Sequence, residues 1–246
     1  MNGWRATAVV AVAVLQIGAG AVGGIGLWGE PVGDVANSYP TLLLPAGAAF
    51  GIWSLIYFLF AALAIRQALP RQRAREVHRR TGWWLAAAGM LNAAWVALFA
   101  HRLIVPAQLV IVGLLACLVI ALVRVPARGW GDRLLLHTPI AIYAGWVAIA
   151  VVAGGATTSA WFGAPPSTVA AIIVVLLAGG AVTWAVLRLR AVVGFATAVC
   201  WALTWVAIAT PAPAVRSATL IALGIVLLSL ALRLTWTDDR TAAAWG

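Results

Sequence analysis

The stretch Val105–Arg124, VPAQLVIVGLLACLVIALVR, decides how the rest of the chain is read. It carries no charge before its final arginine and shows no strand-like alternation of apolar and polar side chains. An apolar run of about 20 residues, wound as a helix, matches the roughly 30 Å of a bilayer's hydrocarbon core. Within hydrocarbon only helices and closed barrels satisfy every peptide group, and a run without alternation excludes the barrel. Working outward from it, the same reading predicts spans at 6–27, 46–66, 81–100, 105–124, 135–154, 167–188, 191–209 and 215–234. Prolines punctuate the gaps: Pro31, Pro40 and Pro45 before the second span, Pro70 after it, Pro106 opening the fourth and Pro126 closing it. Pro165 and Pro166 precede the sixth, and Pro211 and Pro213 the eighth. Only Leu187–Ala191 separates the sixth span from the seventh, so a tight turn is expected there.

Composition agrees. Hydrophobic residues make up 64% of the 246 and charged residues 9%, with a mean hydropathy of +1.03. A soluble domain carries roughly 25% charged residues, so the chain has too little polar surface to coat a water-soluble globule. The fold class is therefore all-α, a polytopic membrane helix bundle of about eight transmembrane helices.

The formal net charge of +10 would suit a nucleic-acid partner if it lay on one soluble face. It lies instead in short loops, and alternate loops hold nearly all of it. One side of the bundle collects Arg5, Arg66, Arg71, Arg73, Arg75, Arg79, Arg80, Arg124, Arg128, Arg133, Arg188, Arg190, Arg233 and Arg240; the other holds Arg102 and Arg216. By the positive-inside rule both termini are expected in the cytoplasm, with the protein integral to a bacterial plasma membrane. The first span, with Arg5 before it and small residues from Gly18 to Gly24, has some look of a signal peptide. It is too long for an h-region of about 7–15 residues, and the reading keeps it as a span. Gly18, Gly20, Gly23, Gly24 and Gly26 in it suit close helix approach, or a hinge.

The chain has no lysine, which excludes a retinal-type Schiff base. Cys117 and Cys200 both fall mid-span, where a disulfide between them is not expected. His78, His101 and His137 are scattered, and the six acids (Glu30, Asp34, Glu76, Asp132, Asp238 and Asp239) lie outside the apolar runs. No metal site and no catalytic residue is expected from these, and no G-x-S-x-G or phosphate loop occurs.

Tryptophan is the unusual residue, at 14 copies. Trp4, Trp28, Trp130, Trp161, Trp236 and Trp245 fall at span ends or in loops, where interfacial anchoring explains them. Trp53, Trp95, Trp146, Trp201 and Trp205 fall deeper. Phe50, Trp53 and Tyr57 are spaced i, i+3, i+7 along the second span; Asn92, Trp95 and Phe99 repeat that spacing in the third; Tyr143 and Trp146 share a face of the fifth. Each stripe alone reads as a packing seam between helices, with Asn92 bonding a neighbour. Three together point to a planar hydrophobic ligand held between aromatic walls, with Asn92 and Tyr143 as placed polar contacts. Periodicity alone does not decide between the two. Trp201 and Trp205, at i and i+4 of the seventh span, either extend such a pocket or pack.

Three segments carry a resemblance. YPTLLLPAGAAFGIWSLIY (Tyr39–Tyr57), GMLNAAWVALF (Gly89–Phe99) and HTPIAIYAGWVAIA (His137–Ala150) resemble, in order and separation, the conserved segments of TspO/translocator proteins, also called tryptophan-rich sensory proteins. The resemblance covers about residues 6–154, and the further spans look like the long form of that family. It implies a TspO-like five-helix core over residues 1–154, with three additional helices over 155–246 packed on it. It also implies a pocket beneath the Trp28–Pro45 loop, and ligands that are tetrapyrroles, porphyrin-like or sterol-like compounds. Matched to the family's motif, Phe50, Trp53, Tyr57, Asn92, Trp95, Phe99, Tyr143 and Trp146 become the ligand-binding candidates. The chain departs from the family at the end of the fifth span, where AIAVVAGG (Ala148–Gly155) replaces a segment with a polar asparagine.

The expected function is a membrane-embedded binding or sensory protein for such a ligand, a receptor in that sense. Transport of a hydrophobic small molecule is the alternative; no Asp, Glu, Lys or Arg lies mid-span to couple it to ions. An enzyme that degrades a bound tetrapyrrole is a third reading, less favoured without an acid–base pair. No cofactor is expected, a tetrapyrrole counting as ligand. The partners expected are the bilayer and the hydrophobic small molecule, with a homodimer left open and no nucleic acid.

Overall fold

A long apolar run in a low-dielectric layer has one local way to satisfy its peptide groups, the i→i−4 bond, and each run becomes one helix. The computed structural model describes residues 2–125 and 129–246; Pro126 and Arg128 lie outside the described residues. Eight helices in it are long and apolar enough to cross a membrane, one at each expected stretch. They are Asn2–Ile25, Ile52–Ala68 with a 3-10 turn Gly47–Gly51 leading into it, Glu76–Ala100, Ile104–Arg124, Thr138–Trp161 with Trp130–His137 leading into it, Thr168–Arg188, Val192–Ala209 and Pro213–Trp236. No strand occurs among the described residues.

Several boundaries differ by a few residues from the sequence reading, and two of the shifts have a visible cause. The third span begins five residues earlier than 81, because Glu76 in the first turn suits the helix dipole and pairs with Arg80 at 2.5 Å. The fifth runs on to Trp161, since Thr157 and Thr158 return their hydroxyls to the carbonyls of Ala153 and Gly154 and so stay helical in apolar surroundings. At its other end Pro139 has no N–H to donate, and the turn before it, Arg133–His137, is π-helical. The sixth and seventh spans are joined as tightly as expected, through Ala191 at φ +57°. Three short helices outside the spans, Val32–Asn37 in the first loop, Pro70–Arg73 after the second span and Arg240–Trp245 after the eighth, are too short to show a period in the sequence and were not foreseen.

The first five spans form a closed ring. The first packs on the second and third, the third on the fourth, the fourth on the fifth, and the fifth returns to the second. The seventh span lies along the fifth, closely enough that a Cβ on Gly145 would meet Phe195 O at 2.3 Å. The eighth packs on the seventh and the sixth on the eighth, so the last three spans form a layer against one side of the ring.

Each end of the ring is tied by ions. At the arginine-rich end Asp132, 1% exposed, accepts from Arg66 at 2.7 Å and from both terminal nitrogens of Arg75 at 2.7 and 2.5 Å. The carboxylate raises the Arg75 guanidinium above its ordinary value. At the opposite end Arg102, in the left-handed conformation between the third and fourth spans, gathers the first loop. It donates to both oxygens of Glu30 at 2.5 and 2.7 Å, to Ser38 Oγ at 3.1 Å and to Tyr39 Oη at 3.3 Å. Glu30 N–H also donates to Ala100 O at 2.9 Å. Next to it Gly29, at φ +92°, lies where a Cβ would meet that carbonyl at 2.7 Å, a contact and a conformation that only glycine tolerates.

Candidate ligand pocket

The three aromatic stripes of the second, third and fifth spans converge inside the ring. Trp53 is their centre. It stacks on Tyr57 at 5.5 Å and on Trp95 at 5.9 Å, and meets Tyr143 and Trp146 edge-on at 5.8 and 6.2 Å. Trp95 stacks in turn on Phe99 at 5.3 Å, and Phe50 meets Trp146 edge-on at 6.0 Å. Phe50 reaches this cluster from the 3-10 turn rather than from the helix proper. Trp95 and Trp146 are buried, as their depth in the sequence suggests, whereas Trp4, Trp28, Trp130, Trp161 and Trp236 are exposed.

Behind Trp53 and Tyr57 sits a buried polar node that unites four spans. Asn92 Nδ2 donates to Gln16 Oε1 and to Tyr57 Oη, each at 3.3 Å, and Tyr143 Oη donates to Gln16 Oε1 at 3.1 Å. Gln16, Asn92 and Tyr143 are almost wholly buried. Gln16 Nε2 and Asn92 Oδ1, one donor and one acceptor, have no hydrogen-bond partner among the described residues, nor has the indole N–H of Trp146. A buried group left in this state costs about 1–3 kcal/mol. Sequence reading missed Gln16 altogether, although a lone amide midway along a glycine-rich apolar span was the available signal.

Three cavities surround this cluster. The inner one, about 50 Å³, is lined by Phe50, Trp53, Trp95, Phe99 and Trp146, with Gln108, Thr157, Thr158 and Ala202 among its further walls. A second, about 680 Å³, is a lateral groove between the first and second spans beneath the Val32–Asn37 helix; Gly20, Gly24, Phe50, Trp53, Ser54 and Tyr57 face it. The third, about 510 Å³, is an outer vestibule between Asn37–Gly47 and the turns holding Pro165, Pro166 and Pro211. Drug-sized ligands occupy about 300–1,000 Å³, so the groove and vestibule have room for one while the inner cavity holds only a few waters.

Of the eight candidate residues, Phe50, Trp53, Trp95, Phe99 and Trp146 therefore wall the inner cavity, and Phe50, Trp53, Tyr57 and Trp95 wall the groove. Asn92 and Tyr143 face neither of them; they form the node behind. The first-span glycines divide: a Cβ on Gly20 would meet the Tyr57 ring at 2.4 Å and one on Gly23 would meet Val96 at 2.3 Å, while Gly18 and Gly24 have nothing near them. Gly26, at φ +71°, ends the helix. His78 and His137 are buried and His101 exposed, and no three His, Cys, Asp or Glu side chains gather among the described residues.

A five-helix ring with an aromatic interior, extended by three further spans, defines a polytopic helical membrane protein with a small aromatic-walled cavity inside the ring. A comparison with protein-family models finds a match over residues 5–232 to the family described as TSPO-like protein. The chain belongs to that family, and the match runs past the ring into the eighth span. Comparison with curated proteins and with solved structures gave no match.

Proposed function

We propose that the protein binds a planar, hydrophobic, polar-edged small molecule of tetrapyrrole or sterol type within the membrane, and acts as its sensor or receptor. The observation that carries this reading is the pairing of a cluster of seven aromatic residues with a donor and an acceptor behind it that have no partner among the described residues. Stacked indoles offer flat apolar walls; Gln16 Nε2 and Asn92 Oδ1 lie behind the groove-facing Tyr57 and meet a ligand edge that carries both an acceptor and a donor once that ring turns aside. A purely structural seam would gain nothing from leaving both atoms unpaired. Membership in the TSPO-like family supports the same reading. The arginine-rich end, where Asp132 is clasped, is assigned to the cytoplasm.

The test uses protoporphyrin IX as probe on the purified protein in lipid nanodiscs. A difference absorption spectrum should show a bound porphyrin, and binding should quench tryptophan fluorescence. Trp53→Leu, Trp95→Leu and Trp146→Leu should each weaken affinity about three- to tenfold, since an aromatic pair is worth about 0.5–1.5 kcal/mol beyond its buried area. Unaltered affinity in all three variants would return the cluster to the role of packing.

A further inference from the structure

The three cavities meet at one short piece of chain. Leu44 and Pro45 line both the inner cavity and the vestibule, Gly47 lines the vestibule and the groove, and Phe50 lines the groove and the inner cavity. Residues 44–50 are thus the partition between a 50 Å³ space walled by indoles and two spaces large enough for a ligand. Much of the piece is a 3-10 turn, whose hydrogen bonds are poorer than those of an α-helix.

The seventh span holds this partition at two points. The indole N–H of Trp201 donates to Ala49 O at 3.0 Å, and Ala46 N–H donates to Trp205 O at 3.3 Å. The two indoles meet edge-on at 5.5 Å, which fixes the ring of Trp201 in its donating position. Both bonds join the ring of five spans to the additional layer, and Ala202 of the same helix walls the inner cavity. Trp201 is itself 39% exposed, so burial of its own surface does not explain its placement.

We propose that residues 44–50 form a gate between vestibule, groove and inner cavity, and that Trp201 is the positioning residue by which the seventh span keeps it closed. This rests on the proposed ligand reading. The closed inner cavity holds only a few waters, so a ligand reaches the indoles only when Phe50 swings away with its 3-10 turn and joins that cavity to the groove, and the frequency of that opening is set by the two bonds to the seventh span. The additional layer governs access to the pocket rather than the affinity of the bound state.

The experiment measures stopped-flow binding and release of protoporphyrin IX by tryptophan quenching, on the full chain in nanodiscs, for the unsubstituted protein and for Trp201→Phe. Phenylalanine keeps an aromatic ring and removes only the N–H. Ala46→Pro, at a φ of −57° that proline adopts, removes the other donor and serves where Trp201→Phe folds poorly. Hydrogen–deuterium exchange of residues 44–51 is followed in the same samples without porphyrin. Loss of one hydrogen bond should raise association and dissociation rates together by about three- to tenfold, leave the affinity within about twofold, and quicken exchange in 44–51. Rates that do not move, with exchange quickened or not, would overturn the gate. So would a weaker affinity at an unchanged association rate, which would make Trp201 a ligand contact. No porphyrin bound by the unsubstituted protein is a separate result, and it overturns the ligand reading from which the gate takes its purpose.

Discussion

Tyr57 and Asn92 are joined by a 3.3 Å hydrogen bond across the inside of the ring, between two spans that the first span keeps apart. The same amide group reaches Gln16 on that intervening span, so one asparagine ties three helices. Hydrogen bonds between membrane helices average about 0.6 kcal/mol, and both of these are long. Asn92→Leu should therefore cost about 1 kcal/mol of stability, read by thermal unfolding in detergent. Affinity for a polar-edged porphyrin should fall further, about five- to a hundredfold, because the acceptor Oδ1 goes with the side chain. A stability loss with intact affinity would remove Asn92 from the ligand site.

Gly20 and Gly18 make a paired test on one helix. A methyl group at Gly20 falls 2.4–2.7 Å from the Tyr57 ring, which its bond to Asn92 and its stacking on Trp53 hold in place. Gly20→Ala should push Tyr57 into the lateral groove, lower the melting temperature and reduce porphyrin binding. Gly18→Ala meets nothing within 4 Å and should be neutral or stabilising by up to about 1 kcal/mol through helix propensity. Equal behaviour of the two variants would show that the groove is not shaped by Tyr57.

The Glu30–Arg102 pair should make the first loop sensitive to acid. The hydrogen bond from Arg102 holds the Glu30 carboxyl below its usual 4.5, and Glu30 in turn raises the guanidinium. A depressed carboxyl contributes fully above its unfolded value and is lost as pH falls through the folded one. Exchange in residues 27–39, corrected for its intrinsic pH dependence, should thus be flat from neutral pH down to about 5 and quicken below about 4. Arg102→Gln should abolish the step. Because both groups are exposed the effect should shrink in high salt, and a step of the same size at high salt would point to another titrating group.

Topology gives the fourth test. With the arginine-rich end in the cytoplasm, reporter fusions after Arg75 and Arg240 should report cytoplasm, and one at Asp34 the opposite side. A cytoplasmic signal at Asp34 would invert every later span.

Much of this architecture was readable from the chain, for a physical reason. Span length and the alternation of arginine are local quantities, and hydrocarbon allows one backbone solution for them. The aromatic stripes were readable too, because a 3.6-residue period fixes which side chains share a face. Which faces meet is not local. Trp201 and Ala49 are separated by 152 positions, and nothing near either residue announces the other. Gln16 was lost for the opposite reason: one amide within the long run of small and apolar residues from Ala8 to Ile25 scarcely alters the local average, while its consequence depends on Asn92 and Tyr143 arriving from other helices. Asp132 read only as an acid outside the apolar runs, because its two arginines lie 57 and 66 positions upstream.

That last separation bears on how the protein is made. Arg66 and Arg75 emerge from the ribosome well before Asp132, at the exit of the second span and the approach to the third. Two like charges brought close without an acid between them repel, so the pairing of Arg66 and Arg75 at this end depends on Asp132. The clasp closes only when residue 132 arrives at the head of the fifth span, the same helix that must dock on the second to complete the circle. The counter-charge for both arginines thus comes with the helix that finishes the ring, and the clasp can form only after that helix has been made.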